Sequence, residues 1–140
     1  MLYIWDIEKI IKNALHELNI DLDYAHDDKL AAPMSYNVSI KTIKFNYLEI
    51  NGYIGKIKFK ETQENLVKII LYHVIGYYLD FKKNKHDTRI LMYGEDEEKE
   101  QLKSLIETNA WEYGRKVVPE NLLDSYEKVR EFDKQLIKSL

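Results

Sequence analysis

Glu61–Phe81 reads ETQENLVKIILYHVIGYYLDF, and the fold turns on how that stretch is read. Leu66, Ile69, Ile70, His73, Gly76, Tyr77 and Asp80 recur three or four positions apart, which is the spacing of one helical face. Thr62 is a helix-capping residue type, and Glu64 and Asn65 suit the first turn, where unpaired backbone N–H groups favour oxygen acceptors. The stretch therefore predicts a central helix.

Downstream, KKNKHD (82–87) predicts a polar loop, and the acids of EDEEKE (95–100) predict a helix start. The acids lack the spaced oxygen pattern and glycine turn of a calcium loop. A helix over about Asp96 to Val117 would present Leu102, Leu105, Ile106, Asn109, Ala110, Tyr113 and Val117, with Glu107 beside that face. Pro119 suits a helix start. The last helix, 120–138, carries Leu122, Leu123, Tyr126, Val129, Phe132, Leu136 and Ile137, and packs on the domain or on a partner subunit.

Upstream, Ile43, Phe45 and Tyr47 alternate with Lys44 and Asn46, and Ile57 and Phe59 alternate with lysines. Asn51-Gly52 between them is a tight-turn signal, so 41–60 predicts a β-hairpin with lysines on its solvent face. Residues 19–34, which include Pro33, predict an irregular segment. His26 there stands beside Asp27 and Asp28, a cation-binding set in principle and a solvated loop by preference. Asp6 is placed to cap a first helix from about Ile7 to Leu18, with Ile7, Ile10, Ile11, Ala14, Leu15 and Leu18 inward.

The 140 residues suit one domain, 1–140, and 45% hydrophobic with 32% charged residues is a globular composition. With no cysteine, disulfides, thiolate metal sites and thiol nucleophiles are excluded. That fits a reducing compartment, and the expected location is cytoplasmic. No apolar run is long enough to cross a bilayer, and the N-terminus lacks the basic region of a secretory signal. A net charge of -3 gives no reason to expect nucleic acid or an anionic membrane as partner. The serines have no nucleophile-elbow context, and no glycine-rich phosphate loop is present.

The candidate chemistry lies in the central helix. Two histidines four apart on a helix bind one zinc, with the glutamate after the first acting as general base. Here the first position is His73, the base position is Val74 and the second-histidine position is Tyr77. LYHVIGYYLDF resembles the AHELGHYLDF helix of the ImmA/IrrE-type zinc peptidases, a gluzincin-like family of bacteria, phages and mobile elements. IETNAWEYGRKVV (106–118) resembles that family's glutamate-bearing helix, and YNVSIKTIKFN (36–46) its short edge strand.

The resemblance implies an α+β, zincin-like fold, a short antiparallel hairpin against about four helices. It also implies a phage or mobile-element setting. His73 and Glu107 match metal ligands, and Gly76, Leu79 and Asp80 match the helix's close-packed and exit positions. Val74 and Tyr77 remove two groups that hydrolysis needs. The expectation is a pseudo-peptidase: a remnant metal site of His73, Tyr77, Asp80 and Glu107, no catalytic residue, and no cofactor. If zinc were held, its ligands would be His73, Glu107 and Asp80. The expected role is protein or peptide binding through a cleft of Tyr72, Tyr77, Tyr78, Trp111 and Tyr113. Two alternatives stand beside it. One is a divergent zinc-dependent hydrolase using His73, Asp80 and Glu107 with Glu112 or His86 as base. The other is a structural homodimer, a homo-oligomer built through Tyr126 and Phe132 of the C-terminal helix.

Overall fold

The computed structural model describes residues 1–138, with side chains described through Gln135. Helices α1 (Ile4–Glu17), α2 (Tyr47–Lys56), α3 (Gln63–Lys83), α4 (Arg89–Tyr93), α5 (Asp96–Arg115) and α6 (Leu123–Lys138) surround strands β1 (Asp23–His26), β2 (Met34–Asn37) and β3 (Thr42–Phe45). The fold is α+β, a small mixed sheet packed against several helices. The strand order is β1-β3-β2, with β1 parallel and β2 antiparallel to β3.

α3 is the axis of the molecule. Thr62 caps it as expected, its hydroxyl accepting the Asn65 N–H at 3.1 Å. Its burial is broader than one face. Val67, Leu71, Val74 and Ile75 are buried with Leu66, Ile69 and Ile70, because α1, α2, β2, α5 and α6 all pack on it. α1 buries Ile7, Ile10, Ile11, Ala14 and Leu15, the face expected of it. Asp6 is not its cap: it sits one turn in and accepts the Tyr3 N–H at 2.9 Å.

The hairpin expected over 41–60 is a correction. β3 ends at Phe45, and the Asn51-Gly52 pair lies inside α2. Asn46 starts that helix by accepting the Leu48 N–H at 3.1 Å, and Ile50 and Ile54, four apart, bury its inner face. Asn51 turns no corner. Its amide donates to the Leu2 carbonyl (2.8 Å) and the Tyr47 carbonyl (2.7 Å), and its oxygen accepts from Leu2 N–H (3.0 Å). Tertiary bonds to the N-terminal segment thus override the local turn preference.

The antiparallel pair is instead β2 with β3. Its turn is held by Asn37, whose side-chain oxygen accepts from Ser39 and Ile40 N–H. Residues 19–34, expected to be irregular, contain β1. His26 is one of its residues and packs against Phe45 and Tyr47, each at 5.5 Å between ring centres, so it belongs to the sheet and not to a solvated loop.

α5 turns differently from its expected face: Ile106, Ala110, Trp111 and Gly114 are buried, while Leu105 is exposed. The crossing with α3 sets this rotation. A Cβ on Gly76 would run into the Ala110 carbonyl, and one on Gly114 would lie 2.5 Å from the Tyr72 carbonyl oxygen. The two backbones touch through Gly76, Ala110 and Gly114. The last helix begins as a 3-10 turn, Glu120–Leu122, before α6. Tyr126 and Val129 are fully buried in this same domain, and Phe132 packs on Tyr53 at 5.7 Å. Tyr126 is therefore core, not an exposed dimer contact; Leu136 and Ile137 lie beyond the described side chains. No helix among the described residues is long and apolar enough to cross a membrane.

Candidate functional site

On one side of the Gly76 crossing, α3 and α5 each present two side chains four positions apart: His73 and Tyr77 from α3, Glu107 and Trp111 from α5. Residues so spaced stack on one helix face, so the four meet across the interface. Glu107 is the common acceptor. His73 Nε2 lies 3.0 Å from Oε1, Trp111 Nε1–H donates to the same oxygen at 3.1 Å, and the Tyr77 hydroxyl donates to Oε2. The His73 and Trp111 rings stack at 3.8 Å with planes 17° apart. Trp111 is in turn held by α6, since Tyr126 donates to its carbonyl at 2.7 Å and meets its ring edge-on. Burial raises the Tyr126 phenol well above its ordinary value, so it stays a donor.

Asp80, expected in the same set, is elsewhere. Seven residues beyond His73 is about 10.5 Å along the axis. Fully buried, its carboxylate takes Asn84 Nδ2 (2.9 Å) and Asn109 Nδ2 (3.1 Å) on Oδ1, and His86 Nε2 (2.8 Å) on Oδ2. Asn84 also donates to the Tyr113 hydroxyl at 3.0 Å. This second network fastens the chain after α3 to both long helices. It also accounts for His86, which is bound to Asp80 rather than facing His73 as a base.

Glu112 is removed from the base role too. Arg130 hydrogen-bonds it at 2.7 Å, and that bond, ahead of the Arg130 charge, holds the Glu112 carboxyl below its ordinary range. Val74 is buried in the core. The resemblance implies zinc, yet the residues present do not fit it. Structural and catalytic zinc take three or four thiolate, imidazole or carboxylate ligands. The cluster offers one imidazole, one carboxylate and a phenol, and among the described residues no group of three or more His, Cys, Asp or Glu side chains is arranged to hold a metal ion.

Beside the cluster opens a cleft of about 730 Å³, walled by Tyr36 of β2, Tyr77 and Phe81 of α3, Trp111 of α5, and Arg130 and Asp133 of α6. A smaller cavity of about 150 Å³ shares Glu107, Trp111 and Asp133 with it and reaches His73, Tyr53 and Met34. Of the aromatic residues expected in the cleft, Tyr77 and Trp111 line it. Tyr78 lies against Tyr36 (5.9 Å) on the adjoining surface. Tyr72 is core and Tyr113 belongs to the Asp80 network, so neither is a cleft residue.

Among the wall residues that escaped the sequence reading are Tyr53, Arg130 and Asp133. Asp133 left a signal, since it stands four after Val129 and seven after Tyr126, an acid on the apolar face of α6. Burial, then the Glu107 charge, raises its carboxyl above the usual range; among the described residues its one hydrogen bond is a long one from the Tyr53 hydroxyl, 3.4 Å. The chain matches no protein-family model, no curated protein and no solved structure.

Proposed function

We propose that this chain is a non-catalytic binding module whose cleft receives an extended, cationic segment of a partner protein, on a scaffold derived from a zinc-peptidase-like ancestor. The observation that carries it is the state of Glu107. The carboxylate that a metal site would point at an ion is turned onto His73, Tyr77 and Trp111, while a large cleft with aromatic walls stays open beside it.

Two features support an extended segment. β2 is an edge strand, and its Tyr36 lines the cleft, so a peptide can add to the sheet while its side chains enter the cleft. The cleft wall sets Glu100, Glu107 and Asp133 against Lys103, Lys134 and Arg130, of which Arg130 is already paired with Glu112, and Glu107 and Asp133 continue into the smaller cavity, whose wall has no lysine or arginine. The ancestry is supported by the two motifs that carry the resemblance and by the 3.0 Å contact of His73 with Glu107.

The test has two arms. A random-peptide library is panned on the protein, and the selected peptides are titrated against the parent, Tyr36→Ala and Phe81→Ala. The expected result is saturable binding that both substitutions weaken at least tenfold without unfolding the domain. Separately, protein purified without chelator is assayed for zinc and for cleavage of an unstructured protein. Stoichiometric zinc with cleavage abolished by His73→Ala would overturn the proposal, as would peptides insensitive to both cleft substitutions.

A further inference from the structure

The 150 Å³ cavity behind the cleft has a composition of its own. Its walls are apolar or aromatic (Met34, Ile70, Tyr53, Trp111), and its charged groups are the carboxylates of Glu107 and Asp133, with no lysine or arginine. The lysines of the larger cleft, Lys103 and Lys134, do not reach this wall. A carboxylate offers about four acceptor positions. Among the described residues Glu107 has three donors and so retains about one; Asp133 has a single long bond from Tyr53 and retains most of its own.

His73 supplies an independent observation. Its Nε2 is engaged by the Glu107 carboxylate, whereas Nδ1 is buried with no partner among the described residues. With the proton on Nε2, Nδ1 is an acceptor. A buried polar atom without a partner is costly, and native proteins leave few of them. Two carboxylates from two helices, Glu107 and Asp133, thus bring unfilled acceptor capacity to one small cavity whose wall also holds the His73 ring and an indole.

We infer that this cavity is a specificity subsite for a lysine side chain of the bound segment, its ammonium held by Asp133 and Glu107 with its methylene stem along Trp111. Lysine suits the site better than arginine because an ammonium is a compact charge with three donors to distribute among separate acceptors. A guanidinium is a planar fork that favours one carboxylate taken bidentately. A volume of about 150 Å³ equals roughly five water molecules at about 30 Å³ each, enough for an alkylammonium and small for anything larger. Trp111 adds cation–π attraction. The inference rests on the binding-module reading and names what the bound segment must carry.

The experiment uses the whole chain and two kinds of probe. n-Butylammonium, n-butylguanidinium and n-butanol are titrated while the Trp111 indole N–H resonance is followed, and peptides selected by panning are read for lysine at one fixed position. The expected outcome is a saturable shift with butylammonium, at least tenfold weaker binding of the guanidinium, no saturable binding of butanol, and lysine enrichment. Asp133→Asn should reduce ammonium and peptide affinity at least tenfold. It should still fold, because an amide oxygen can accept the Tyr53 hydroxyl; Lys12→Ala, exposed on α1 and outside both cavities, should leave both affinities unchanged. Peptides that bind the cleft with no lysine preference would overturn the subsite and leave the binding module standing. A lysine preference unaffected by Asp133→Asn would place the contact elsewhere and also overturn it. Failure to recover any peptide, with no butylammonium shift, would remove both.

Discussion

Asp80 and Glu107 are both carboxylates at the α3–α5 interface, one given by each helix, and their surroundings differ. Asp80 is fully buried and takes three side-chain donors. Glu107 also takes three, but it lies on the wall of two cavities, one of which it shares with the sparsely bonded Asp133. A carboxylate whose acceptors are filled inside the fold secures structure. One surrounded by unfilled acceptors and open volume has capacity left for a ligand.

The comparison fails most completely if the crossing between the two networks is disrupted. Gly76→Ala places a methyl group against the Ala110 carbonyl, backbone that cannot rotate away. The expected loss is more than about 3 kcal/mol, in the range of severe overpacking. Denaturant melts should show it, with both networks lost together.

Next in size is the contrast between the carboxylates themselves. Asp80→Ala leaves Asn84, His86 and Asn109 without their acceptor in a buried site, and should cost about 3–5 kcal/mol. Glu107→Gln keeps the shape and one acceptor oxygen, and should cost about 1–2 kcal/mol. If chemical denaturation finds the Glu107 substitution the more damaging, the division between a structural and a receptive carboxylate is wrong.

A smaller effect sharpens the receptive side. Because the Asp133 carboxyl is raised in the fold, the folded chain holds its proton more tightly than the unfolded chain does. Stability therefore falls as pH rises from the ordinary aspartate value, about 3.9, through the raised folded value, and the penalty is constant above that. Asp133→Asn has no such penalty. It should be more stable than the parent at neutral pH, by less than about 1 kcal/mol after solvent screening, with the advantage vanishing below about pH 3.9. Thermal melts at both pH values check the sign.

The smallest effect lies away from both networks. Gly52 sits inside α2 with open space where a Cβ would go. Gly52→Ala should stabilise by about 0.5–1 kcal/mol through helix propensity, and leave the Trp111 and His86 resonances unmoved. Movement of either would mean that α2 communicates with the networks.

Much of the candidate site was legible because it is written at fixed helical spacings. His73 and Tyr77 stand one turn apart, as do Glu107 and Trp111, and the motifs that carry the resemblance pick out both pairs. Asp80 shares the spacing but not the company. Periodicity reports direction around a helix, and it does not report which neighbours lie two turns further along. The hairpin expectation failed for a related reason. Asn51-Gly52 favours a turn locally, whereas Asn51 bonds to Leu2, 49 residues away, and no local rule carries that contact. Asp133 was visible as an acid on an apolar stripe, but its significance depends on the cavity it faces.

The sequence by itself determined that α3 would be a helix starting after Thr62, that α1, α5 and α6 would follow their amphipathic patterns to within a few residues, and that cysteine chemistry is excluded. These are consequences of period, capping and composition, which act within a few residues of chain. The tertiary structure decided the rest. It turned α5 to close on Gly76, sent Asp80 to His86 and Glu107 to His73, drew Tyr126 into the core, and left a cavity between Asp133 and Trp111. Each of those outcomes depends on groups distant in sequence competing for the same few hydrogen bonds and the same volume, and only the packed chain resolves that competition.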